Sequence, residues 1–181
     1  MSLRSRFKGK EQDSAREPGH PTALAVEAGP GVLVAPVGGR VSAMDEVPDP
    51  VFAGGMLGEG CGVWPDGDVV YAPLDGTVTA AMSHAVGIAG DDGTEALVHV
   101  GIDTVEMGGD GFELFVAAGT HVSAGQPLVR IDRGRIVAAG HPDCVVLAVS
   151  NAGELGGVSL GVTPGMVVHA GEALLRTDGA A

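Results

Sequence analysis

Basic and aromatic residues are what this sequence has least of. Ten Lys and Arg stand against 23 Asp and Glu, a formal net charge of −13 at pH 7, and the aromatics amount to one Trp, one Tyr and four Phe in 181 residues. So acidic a chain has neither the cationic footprint nor the stacking platforms that nucleic acids need, and nucleic-acid binding is excluded. Lysine occurs only as Lys8 and Lys10, which excludes a carrier domain built on a lysine at a hairpin tip. Cysteine is limited to Cys61 and Cys144, far apart and without a Cys-x-x-Cys spacing. Neither a redox pair nor a zinc knuckle is indicated, and each thiol reads as a small buried hydrophobe in a reducing compartment. No apolar run approaches the roughly 18 residues of a spanning helix. The basic first residues have no apolar stretch behind them, so export is not indicated and the expected location is cytoplasmic.

The charge that is present is uneven. Residues 1–20 hold five basic and three acidic residues, whereas residues 21–181 hold five basic and 20 acidic. Residues 1–28 show no sustained period and read as a disordered polar tail preceding one domain over residues 29–181. Arg4, Arg6, Lys8 and Lys10 allow weak attraction to an anionic membrane, with only Leu3 and Phe7 able to insert. A strongly acidic body is soluble and draws basic partners at long range.

From about residue 31, short Val-rich runs alternate with turns such as Pro65-Asp-Gly-Asp68, Leu74-Asp-Gly-Thr77 and Asp91-Asp-Gly-Thr94. Val packs well on a pleated surface, and Asp-Gly supplies the positive φ of a tight hairpin, so these turns read as hairpins and the fold as all-β. Two echoes refine this. Val34-Ala-Pro-Val37-x-Gly39-x-Val41 recurs as Tyr71-Ala-Pro-Leu74-x-Gly76-x-Val78, and Gly119-x-x-Val122-x-Ala-Gly125 returns as Gly165-x-x-Val168-x-Ala-Gly171. The pattern implies an antiparallel β-sandwich or barrel with internal pseudo-symmetry, an architecture that serves several unrelated functions.

Chemistry concentrates in Glu95–Val105, which reads as one strand of period two. Ala96, Val98, Val100 and Ile102 then point into the core, and Leu97, His99, Gly101 and Asp103 face outward. Ser83–Ile88 reads as the neighbouring strand, and a hairpin folded near Asp92 brings His84 opposite or diagonal to His99. Two solvent-facing imidazoles can ligate a metal, act as base and partner in hydrolysis, or carry a phosphoryl group. The last suits a neutral imidazole with a pKa of about 6.5, nucleophilic enough to take the group and labile enough to release it. His20, His121, His141 and His169 lie in the tail or near turns and read as surface residues.

Val98-His-Val-Gly-Ile-Asp-Thr-Val-Glu106, followed by Gly109-Asp-Gly-Phe112, closely resembles the active-site signature of the glucose-type enzyme IIA proteins of the bacterial phosphoenolpyruvate-dependent sugar phosphotransferase system. Asp45–Ala53, Gly58-Glu-Gly60, Ala72–Thr77, Ser83-His-Ala85 and Val149-Ser-Asn151 extend the resemblance over nearly everything after the tail. It implies a duplicated hybrid-motif sandwich in which His99 is phosphorylated by the small phosphocarrier protein HPr. His99 then passes the group to a cysteine on the IIB domain of a membrane sugar permease, while His84 supports the phosphoryl group. Asp103 is implied to meet a basic partner residue, and Val51, Phe52, Met56, Leu57, Leu97 and Val105 to form a shallow apolar docking surface, with Phe52, Met56 and Leu97 the more exposed. No metal, cofactor or sugar pocket is implied; a monomer is expected, with regulated metabolic or transport proteins as further partners. Met82 stands where the family often carries Thr, and Ala80 and Leu97 replace larger aromatics.

Two rival readings share the architecture. A lysostaphin-type zinc peptidase needs a His-x-His pair plus a further His and Asp, and no second histidine lies two residues from His99. A purely regulatory binding module that has lost transfer chemistry is the other.

Overall fold

The computed structural model describes residues 19–179. Its strands are short, as glycine-punctuated valine runs dictate: β1 (Val32–Val34), β2 (Gly39–Ala43), β3 (Glu59–Pro65), β4 (Val69–Tyr71), β5 (Gly76–Met82), β6 (Ala85–Gly90) and β7 (Glu95–Val100) in the first part. There follow β8 (Phe112–Leu114), β9 (His121–Val122), β10 (Pro127–Ile131), β11 (Val145–Val149), β12 (Val158–Leu160), β13 (Val167–Val168) and β14 (Ala173–Thr177). Two short helices, α1 (Pro50–Ala53) and α2 (Arg133–Ala138), interrupt them.

An eight-stranded sheet runs β13-β2-β3-β11-β7-β6-β5-β9, and two three-stranded sheets run β1-β14-β12 and β4-β10-β8. All pairings are antiparallel. Exchanging β1–β3 with β4–β6, and β7–β10 with β11–β14, maps this order onto itself, with the pseudo-dyad between β7 and β11. This is the expected pseudo-symmetric sandwich. Its core joins Leu33, Leu128, Leu174 and Leu175 of the small sheets to Val41, Val63, Val98 and Leu147 of the large one. Full burial of side chains this size contributes about 1.5–3 kcal/mol each. Cys61 and Cys144 are free and buried, and burial pushes both thiols up to about 12.

Three expectations are corrected. Of the Asp-Gly turns, only Asp91–Thr94 closes a hairpin, with Asp92 Oδ1 accepting from the Thr94 amide at 3.0 Å. The other two carry the chain from one sheet to another, because β3 and β4 pair with different partners, as do β4 and β5. The strand expected over Glu95–Val105 stops at Val100. Gly101 (φ 74°) and Asp103 (φ 57°) adopt left-handed conformations, and a 3₁₀ turn spans Thr104–Met107. Ile102 therefore leaves the main core and packs on the outer side of the sheet with Val47, Phe52 and Val146.

The expected tail over residues 1–28 lies outside the described residues as far as 18. Residues 19–28 have no helix or strand, yet they are not a free tail. Leu24, Val26 and Ala28 alternate as half-buried positions, and the Leu24 amide donates to the Gly125 carbonyl at 2.9 Å. Gly125 and Gly171, equivalent in the duplicated turns that lead from β9 to β10 and from β13 to β14, admit this strap closely. A Cβ on either would meet the Val26 side chain, at 2.7 and 3.0 Å respectively. At its start the His20 ring lies 4.7 Å from that of Phe115, and Arg130 Nη2 donates to the Gly19 carbonyl.

Candidate active site

β6 and β7 pair with Ala85 opposite His99, which puts His84, one residue earlier, diagonal to it. His84 sits not on a strand, as expected, but in the two-residue turn Ser83-His84 that joins β5 to β6. Its carbonyl accepts from the Val100 amide at 2.7 Å, so the turn is tied to the end of β7. The two imidazoles meet edge to face, ring centroids 5.4 Å apart at 71°, and both are half-buried. The sequence thus located the pair and its mutual reach, although not the element that carries His84.

His99 Nδ1 lies 2.8 Å from the Gly101 carbonyl. A carbonyl only accepts, so Nδ1 carries the proton and Nε2 keeps its lone pair. Burial is the main cause that lowers the His99 pKa below its ordinary value. The bond to Gly101 pulls the other way, His84 adds to the lowering, and the Asp49 and Asp103 charges offset part of it. Burial alone lowers the His84 pKa. Both rings are therefore neutral at physiological pH, the state a nitrogen nucleophile requires.

The wall on the other side of His99 is the excursion over residues 44–58. Asp49 caps α1, its Oδ1 accepting from the Val51 and Phe52 amides at 2.7 and 3.1 Å, and Pro50 follows at the first helical position. This cap-plus-proline pattern favours a helix start. It aims Phe52 inward, where the ring lies 5.1 Å from His99 at 61°.

Phe52 was expected among the more exposed docking residues; it is only 4% exposed. The reason is geometric: α1 folds back on the sheet, and its one buried side chain fills the space over Val146 and Ile102. Leu97 is half-buried against the same cluster. Met56 (77%), Val105 (62%), Leu57 (40%) and Val51 (38%) are exposed. Met56, Leu57 and Leu97 line, with Gly87 and Ala89 of β6, a groove of about 420 Å³. Asp103 is exposed at the start of the 3₁₀ turn. Residues 44–57 and 101–107 hold Asp45, Glu46, Asp49, Asp103 and Glu106 and no Lys or Arg. Sequence reasoning assigned no role to Asp49 or to the Gly101 carbonyl. The Asp-Pro pair was the available signal for the first; a backbone acceptor leaves none.

Among the described residues, no group of three or more His, Cys, Asp or Glu side chains is placed to hold a metal ion. No helix among them is long and apolar enough to cross a membrane. Residues 31–155 match the model of the phosphoenolpyruvate-dependent sugar phosphotransferase system, EIIA 1 family. The chain belongs to that family. It is 43% identical over 126 residues to the mannose-specific EIIBCA component of Corynebacterium glutamicum, covering 68% of this chain and 18% of the relative. It is 47% identical over 102 residues to the glucose-specific EIIA component of Bacillus cereus, covering 55% of this chain and 62% of the relative. Among solved structures, glucose permease IIA from Mycoplasma capricolum superposes with a TM-score of 0.68 at 30% identity, covering 80% of this chain and 94% of that one. The chain thus spans less than two thirds of these two sequence relatives. The family's description places its members in a phosphoenolpyruvate-dependent sugar phosphotransferase system.

Proposed function

We propose that this EIIA chain is a phosphoryl courier, taking the group from the phosphohistidine of HPr onto Nε2 of His99 and handing it to the cysteine of a permease IIB domain. The observation that carries this reading is the bond from His99 Nδ1–H to the Gly101 carbonyl, 2.8 Å long, which commits one ring nitrogen and frees the other. In the first transfer the Nε2 lone pair closes on phosphorus as the donor's N–P bond breaks, and the electron pair of that bond returns to the donor imidazole. The His99 ring then carries formal positive charge with its Nδ1 proton held by the carbonyl, which favours that charged form. In the second transfer the thiolate attacks phosphorus, the N–P bond breaks, and its pair returns to Nε2. His84, 5.4 Å away ring to ring, donates a hydrogen bond to the phosphoryl oxygens.

Docking falls to the exposed Met56 and Leu57 and the half-buried Leu97, which line the groove, together with the exposed Val51 and Val105. The acidic rim, including Asp103, meets basic groups on each partner. Apolar contact at the centre and opposite charge at the edge suit a surface that must bind and release more than one protein. The same surface serves metabolic or transport proteins that read the phosphorylation state. The sugar is handled by the permease, so these residues do not specify it.

Incubation with phosphoenolpyruvate, the first enzyme of the relay and HPr tests the assignment. Acid-labile label is expected on His99 and none in His99→Ala; His84→Gln should accept label but pass it poorly to the IIB cysteine. An unlabelled wild type, or full labelling of His99→Ala, refutes the reading.

A further inference from the structure

We propose that Thr104 is the positioning residue of this site, its hydroxyl setting the turn that presents Nε2 of His99. This rests on the courier reading above and adds a residue to it. Thr104 is fully buried, and its Oγ1 donates to the Val100 carbonyl at 2.5 Å. The Val100 residue is held at both ends, because its amide donates to the His84 carbonyl at 2.7 Å. One hydroxyl therefore braces the residue that ties the His84 turn to β7. It also braces the step into Gly101, whose carbonyl accepts the hydrogen bond from His99 Nδ1–H. The Thr104 methyl lies where a Gly101 side chain would be, 2.3 Å from an added Cβ, so the left-handed turn at Gly101 closes directly onto Thr104.

The duplicated half supplies an internal control. Its 3₁₀ turn spans Ala152–Leu155, as the first spans Thr104–Met107, and each ends on a glycine in the left-handed conformation, Gly156 and Gly108. Ala152 occupies the place of Thr104 and is likewise buried. The same turn thus forms and packs without a hydroxyl, so the fold does not require one. The hydroxyl occurs in the half that carries the histidines. Left-handed backbone at the equivalents of Gly101 and Asp103 is also missing from the second half, where Val149 ends β11 and Asn151 has φ −100°.

The experiment compares the full chain with Thr104→Val, which keeps the shape and loses the hydroxyl, and Thr104→Ser, which keeps the hydroxyl. Imidazole ¹⁵N–¹H correlation spectra report the His99 tautomer, and the initial rate of label transfer from phosphorylated HPr reports function. The wild type and Thr104→Ser should show the Nδ1–H tautomer. Thr104→Val should show a mixture, with transfer slowed about tenfold while the Val, Leu and Trp64 resonances of the core stay dispersed. An unchanged tautomer and rate in Thr104→Val overturns the proposal, as does Thr104→Ser falling as far as Thr104→Val. Should Thr104→Val fail to fold, the wild type decides: a slowly exchanging Thr104 hydroxyl proton supports the bond, and its absence overturns it. The tautomer readout needs no phosphate, so a failed courier reading would show as an unlabelled wild type with the tautomer comparison intact.

Discussion

Replacing Phe52 by Ala separates packing from chemistry at His99. The ring is the one buried side chain of α1, and it covers Val47, Ile102 and Val146 while meeting His99 edge to face. Phe→Ala in a closed core costs about 3–5 kcal/mol, and an aromatic edge contact about 0.5–1.5 kcal/mol of its own. The outer cluster is small and at the surface, where residues 44–58 can settle into the space, so about 3 kcal/mol is expected. For a chain this size that lowers Tm by about 6–12 °C.

The same substitution should move the His99 pKa. Burial is the leading cause of its depression, so opening the Phe52 side relieves it and the pKa rises toward 6.5. A histidine with a depressed native pKa binds fewer protons folded than unfolded. Its contribution to stability is complete above 6.5 and is lost as pH falls through the window between 6.5 and the native value. Phe52→Ala should narrow that window, so its stability falls less steeply with acid than that of the wild type. Titration of the His99 ring resonances, with thermal melts at neutral pH and about one unit below 6.5, reads both effects. An unchanged His99 titration in a folded variant would refute the claim that Phe52 desolvates the nucleophile. A stability loss under about 1 kcal/mol would refute the claim that it is a core residue.

Met56 and the N-terminal strap give contrasting outcomes. Met56 is 77% exposed, so Met56→Asp should change stability by less than about 0.5 kcal/mol yet slow transfer from HPr and to the IIB cysteine, as read by labelling kinetics and by melts. The double change Leu24→Ser with Val26→Ser strips two half-buried apolar contacts from the Gly125 and Gly171 turns. It should cost about 2 kcal/mol, visible by calorimetry, and leave transfer rates unchanged, because Leu24 and Val26 pack on the Gly125 and Gly171 turns and not on the histidine pair.

How much could be read in advance depends on which forces act locally. The β6–β7 hairpin was legible because alternation along Ala96, Val98 and Val100 sets its faces and Asp92-Gly93 sets its turn; the diagonal placement of the histidines follows from the register. The end of β7 is not, since Gly101, Ile102 and Asp103 continue the alternation in sequence, and the left-handed backbone at Gly101 and Asp103 breaks it. The burial of Phe52 is not legible, because an apolar residue in a loop reads alike whether it covers a surface or is covered. Four residues of α1 fall short of one helical period pair, so Asp49-Pro50 was the only trace of it. The strap looks like a tail in sequence because Leu24 and Val26 find their partners in two glycine turns about 100 and 145 residues further on.

The site itself arises where the duplication breaks. β5 joins β6 through two residues, Ser83-His84, while the equivalent strands β2 and β3 are joined by the excursion over residues 44–58. That excursion lays Val47 and Phe52 over Val146, so every residue of β11 is buried. On β7, the equivalent strand, the outward positions Leu97 and His99 stay half-open because a two-residue turn has nothing to lay over them. The pseudo-symmetric frame holds both strands rigidly, and the unequal connections decide which one a partner can reach. The proposed carrier role needs this combination: a ring nitrogen fixed in tautomer and direction by backbone, walled on one side by Phe52, and open on the other to two proteins in turn. Shortening 44–58 to a two-residue turn would expose Val146 and Ile102 and release the Phe52 side of His99. Lengthening the Ser83-His84 turn would bury the nucleophile, so each half is confined to the connection it has.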